Sequence, residues 1–123
     1  MTGEATRGWP TGLRVTDKGR MLAITFDSGE AFALPAEYLR VMSPSAEVQG
    51  HSAAERRVES GKRDVSIVGA VPTGNYAVRL VFSDGHETGI FTWTYLFELG
   101  ARQAEKWTSY LDELAARGLR REA

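Results

Sequence analysis

The chain of 123 residues contains no cysteine. That excludes disulfides, thiolate-held zinc, iron–sulfur clusters on thiolates and cysteine nucleophiles. A charge imbalance is also missing, since 15 Lys and Arg stand against 16 Asp and Glu for a formal net charge of −1. Such a balance supplies no general drive toward nucleic acid or an anionic membrane. No apolar run approaches the roughly 20 residues that a membrane helix needs. The opening MTGEATRGWP has no apolar stretch of the secretion-signal kind, so a cytoplasmic protein is expected. There is no G-x-S-x-G elbow, no P-loop and no G-x-G-x-x-G word, so no residue is assigned to catalysis and a non-enzymatic role is expected.

What is present fits one modest globular core, with 42% hydrophobic and 25% charged residues. In LRVTDKGRMLAITFDSGEAFALP, the residues Leu13 and Val15, then Leu22, Ile24 and Phe26, then Phe32 and Leu34 alternate around acidic glycine turns. This period of two predicts antiparallel strands joined by hairpins. Pro35 is expected to stop the third strand and start a short helix, AEYLRVM. The second passage repeats the pattern, with strands predicted from Val65 to Val71, Tyr76 to Phe82 and His86 to Phe91. Phe26 falls on Phe82, Gly29 on Gly85, Glu30 on His86 and Leu34 on Ile90, and one inserted residue then brings Tyr38–Leu39 onto Tyr95–Leu96. The polar stretch SAAERRVESGKRD between the halves reads as an exposed loop. Beyond Gly100, the positions Phe97, Gly100, Ala104, Trp107, Leu111 and Leu114 share one helical face. The expected fold is therefore α+β: two pseudo-repeated antiparallel β-meander plus short-helix units packed as one domain, with a C-terminal helix.

Several residues are candidates for chemistry. In SPSAE, Ser43 is placed to cap a helix with Pro44 at its first position and Glu47 in its first turn; free amides and hydroxyls there also suit an anion or a partner. His51 and His86 are the two imidazoles, and two histidines with a carboxylate suit Fe(II) or Zn(II). The plainer reading of each is a hydrogen-bonding histidine at a turn. Asn75, Tyr76 and Arg79 follow a glycine turn, and Arg40 and Arg79 suit an anionic ligand or the carboxylates of a partner. Trp107, with Tyr110, sits near the apolar stripe of the tail helix, which either docks a partner or a second copy, or covers the protein's own sheet.

The words FALPAEYLRVMSPSAEVQGH and GKRDVSIVGAVPTGNYAVRLVFSDGHETGIFTWTYLFELG resemble the gamma-butyrobetaine hydroxylase-like N-terminal domain family. The likeness divides the chain into a flexible N-terminus at 1–8, the family domain at 9–100, an amphipathic helix at 101–120 and a frayed tail at 121–123. Such domains occur alone in bacteria, ahead of a 2-oxoglutarate oxygenase domain, or fused to an ATPase of the iron–sulfur carrier type. The resemblance implies a small accessory or adaptor module that binds a partner protein, linked to iron or iron–sulfur enzymes. In the hydroxylases, three cysteines and one histidine hold zinc, at positions that fall on Ser43, Ser45, Val48 and His86 here. Only the histidine is kept, and serine hydroxyls are poor zinc ligands. The alternative implied is iron or zinc held by His86 and His51 without cysteines.

Overall fold

The computed structural model describes residues 9–45 and 58–122. Strands β1 (Pro10–Thr16), β2 (Met21–Phe26) and β3 (Ala31–Pro35) form one antiparallel sheet, and helix α1 (Ala36–Val41) follows directly. Strands β4 (Ile67–Thr73), β5 (Ala77–Phe82) and β6 (Ile90–Thr92) form a second, followed by α2 (Trp93–Ala101) and α3 (Gln103–Ala116). Strand alternation sends Leu22, Ile24 and Phe26 of β2, and Val78, Leu80 and Phe82 of β5, into one shared core with Leu39, Leu96 and Leu99.

The two halves match in detail. Each outer pair of strands carries a register shift near its start, between Pro10 and Gly12 and between Ile67 and Gly69. The turns after β2 and β5 close identically: Phe26 N–H donates to Glu30 O at 2.8 Å, and Phe82 N–H to His86 O at 2.9 Å. Gly29 and Gly85 sit at φ of 94° and 92° in those turns, a backbone region open to glycine.

Pairing also corrects the alignment of the halves. Leu22 faces Leu34 while Val78 faces Phe91, so Leu34 corresponds to Phe91 rather than to Ile90. The inserted residue lies before β6, which begins at Ile90 instead of His86. A one-residue slip exchanges the faces of a strand. Accordingly Phe91 is 0% exposed and Ile90 is 40% exposed.

Three further expectations change. Pro35 has the extended φ and ψ of a helix N-cap, so it precedes α1 instead of opening it. The second helical region begins at Trp93, where the Thr92 hydroxyl accepts the Tyr95 N–H, and it breaks at Arg102. On α3 the inward residues are Trp107, Tyr110 and Leu114, while Leu111 is exposed. The break restarts the helical phase, which a single continuous stripe did not anticipate.

The halves are clasped by two tyrosines. Tyr38 of α1 donates to Leu99 O in the last turn of α2 at 2.7 Å, and Tyr95 of α2 donates to Met42 O at the end of α1 at 2.6 Å. Each reaches the carbonyl four residues past its counterpart. Terminal carbonyls of helices lack partners within the helix, so each hydroxyl fills a need that the other half creates. Burial pushes the Tyr38 hydroxyl well above the usual tyrosine range, which keeps it a donor. Tyr38→Phe and Tyr95→Phe should each cost about 1–2 kcal/mol of unfolding free energy in urea titrations, at unchanged m-value.

Candidate functional site

The end of α1 and the turn after β5 meet over His86. Ser43 is 0% exposed and His86 8% exposed. Ser43 Oγ lies 2.9 Å from His86 Nε2, and Ser45 Oγ 3.4 Å from the same nitrogen. The Ser45 N–H also points at Ser43 Oγ, at 3.4 Å. A Tyr95 hydroxyl on Met42 O holds the chain immediately before Ser43. Three of the four positions that the resemblance singled out are thus brought together; Val48, like His51 and Glu47, falls outside the described residues.

Among the described residues the donor set is wrong for zinc. Neutral hydroxyls facing one imidazole nitrogen at hydrogen-bond distance are not a thiolate cage. Among the described residues, no group of three His, Asp or Glu side chains is placed to hold a metal. A serine–histidine pair also suggests a nucleophile, but a Cβ on Gly89 would collide with Ser43 Oγ. Gly89 thus fills one side of that hydroxyl, and Ser43 is 0% exposed.

Around the histidine lies a charged hub that the sequence did not disclose. Asp84 Oδ1 accepts the His86 N–H at 3.2 Å, and Asp84 Oδ2 accepts from Arg40 Nε at 2.9 Å and from Lys62 Nζ at 2.7 Å. Arg40 Nη2 is 3.5 Å from Glu59 Oε1. Burial alone would raise the Asp84 carboxyl; hydrogen bonds from Lys62, the His86 amide and Arg40 outweigh it and hold the group at about 2. Arg40, expected at a partner surface, is buried within the fold, as are all six residues of α1.

The remaining candidates lie elsewhere. Asn75 offers its carbonyl to Trp93 Nε1 at 3.0 Å, a turn role. Tyr76 is exposed, and Arg79 stands on the outer face of β5, paired with Glu87 at 3.3 Å. Arg40 and Arg79 do not converge. Trp107 packs edge-on against Tyr38 at 6.2 Å and is half-buried. The tail expected to fray is pinned, with Arg121 paired to the buried Glu37 at 2.8 Å. Asp84, Lys62, Glu59 and Glu37 carried no signal as site residues, since each acts through a partner distant in the chain.

A family model described as gamma-butyrobetaine hydroxylase-like, N-terminal, matches residues 13–97. The chain belongs to this family. Two NMR solution structures resemble this gamma-butyrobetaine hydroxylase-like domain at a TM-score of 0.81 each. One is 42% identical and covers 94% of this chain and 91% of its own; the other is 44% identical, with 98% and 90% covered. A crystal structure from Acidithiobacillus ferrooxidans ATCC 23270 of a protein of unknown function in the DUF971 family is 41% identical, with a TM-score of 0.66 over 78% of this chain and 97% of that one. Curated proteins gave no match.

The Asp84 hub predicts an acid signature. An unfolded aspartate titrates near about 3.9. The folded value is lower, so the stabilisation is complete above that pH and is lost as pH falls toward about 2. The stability gap between wild type and Asp84→Asn should be constant near neutrality and should close across that window in denaturant titrations. A gap that persists unchanged to pH about 2 would remove the charge from the explanation.

Proposed function

We propose that this domain is a non-catalytic adaptor that docks a partner protein through the outer face of its second sheet. The observation carrying this reading is one cross-strand row, Val71 on β4, Arg79 on β5 and Ile90 on β6. Val71 and Ile90 are 42% and 40% exposed on either side of a guanidinium. The equivalent row of the first sheet carries Arg14, Ala23 and Ala33, which offer little apolar surface. Val68 and Tyr76 extend the exposed apolar surface of the second half. Aliphatic side chains around an arginine suit a partner with apolar residues around a carboxylate, which would take Arg79 from Glu87.

Affinity capture with the full chain supplies candidate partners, and a purified pair then decides. Arg79→Glu and Ile90→Asp should each weaken that pair about thirtyfold, near 2 kcal/mol, without lowering the thermal midpoint. Equal affinity of both variants for the purified partner would reject this face.

The competing reading, iron or zinc at His86 with His51, draws support from His86 standing at the family's ligand position. The hydroxyls on its Nε2 weigh against it. Elemental analysis of chelator-free protein should find iron and zinc well below one equivalent. A full equivalent that His86→Ala abolishes would put the metal reading first.

A further inference from the structure

Glu37 is 6% exposed, and a carboxylate so buried needs charged donors close by. Among the described residues, one distant residue supplies two hydrogen bonds to it. Arg121 donates from Nε to Oε2 at 2.9 Å and from Nη2 to Oε1 at 2.8 Å, a paired fork. The guanidinium carbon also lies 5.3 Å from the centroid of the Trp107 ring. A buried carboxylate beside an aromatic plate is the chemistry that recognises an arginine side chain.

The surroundings offer more room than Arg121 uses. Cavities of about 540 Å³ and 750 Å³ border the ion pair, and both are lined by Pro35, Glu37 and Arg121. The smaller has Tyr38, Ala104 and Trp107 in its wall, apolar surface for residues flanking an arginine. Beside the fork, the tail is held by two backbone hydrogen bonds and one surface ion pair. Arg120 O and Arg121 O accept from the Gly61 and Arg63 amides at 2.8 Å and 3.0 Å, and Glu122 pairs with Arg63 where both are half exposed.

We propose that Glu37 and Trp107 form a docking cleft for an arginine-bearing segment of a partner polypeptide, with Arg121 of the chain's own tail occupying it as an internal competitor. The cleft shares no residue with the outer sheet face and does not depend on that assignment. Charge complementarity selects the occupant: the cleft presents a carboxylate with two parallel acceptor positions, which a guanidinium fork fills and an ammonium does not. A tethered competitor acts at an effective concentration on the order of millimolar, so it masks the cleft from weak ligands and yields to a segment with further contacts.

The test uses the full chain and the peptide acetyl-Leu-Arg-Arg-Glu-Ala-amide, read by the NMR shift of the Trp107 indole N–H. Arg121→Ala should bind the peptide saturably, and wild type about tenfold or more weakly. Adding Glu37→Gln to that variant, or replacing both arginines of the peptide with lysine, should abolish binding. A folded Arg121→Ala chain showing no saturable shift overturns the proposal. Should that variant not fold, wild type decides by itself: excess arginine peptide, and not its lysine form, should displace the Arg121 Nε–H resonance, and an unmoved resonance overturns the proposal. A wild-type dimer that Arg121→Ala dissolves would place the tail of a second copy in the cleft and overturn the assignment to a partner.

Discussion

The reciprocal hydrogen bonds of Tyr38 and Tyr95 are the constraint on which the rest of the molecule depends. Each half-unit has a helix end whose carbonyl, Met42 O or Leu99 O, accepts a tyrosine hydroxyl supplied by the other half. Neither half is self-sufficient by this accounting. A three-stranded sheet with a six-residue helix has little core to bury and a helix too short to persist alone. Packing the two units face to face provides the core, and the clasp sets how they meet. It also positions the chain after α1, since the Met42 carbonyl held by Tyr95 immediately precedes Ser43.

Helix α1 distributes the consequences. Tyr38 reaches α2, Leu39 enters the shared core, Arg40 meets Asp84, Val41 joins Tyr110 and Leu114, and Glu37 takes Arg121. Two of these are buried charges, which carry a desolvation penalty that a single pairing seldom offsets. Arg40 is met by the carboxylates of Asp84 and Glu59, and Glu37 by a bidentate guanidinium fork. The two ionic contacts differ in kind. The Asp84 hub ties α1 to the turn that carries His86, whereas the Glu37 pair ties α1 to a tail that lies beyond the last helix.

Two of the positions that the resemblance pairs with thiolates, Ser43 and Ser45, carry hydroxyls here and converge on His86. The turn is held by hydrogen bonds to Ser43 and Asp84 among the described residues, and those bonds suit a packed interior. Away from that turn, a row of aliphatic residues flanks Arg79 on the outer face of the second sheet.

Local periodicity was enough to recover the strands, the antiparallel hairpins and the repeated half-unit, because alternation at Leu22, Ile24 and Phe26 and at Val78, Leu80 and Phe82 is a property of adjacent residues. The family likeness likewise lay open in contiguous words, and it named His86, Ser43 and Ser45 together. Other features were not legible. The register of β6 was misread by one residue, since a bulge or insertion leaves no mark in composition while exchanging Ile90 for Phe91 in the core. The inward face of α3 depended on a break at Arg102 that resets the helical phase. Sequence alone determined the element types, the repeat and the absence of thiolate chemistry, since these follow from residue identity and short-range spacing. Only the tertiary structure decided that Arg40 is buried, that Asp84 gathers Lys62 and Arg40, and that Glu37 meets Arg121, because each pairing joins residues remote in the chain through the packing of one half on the other.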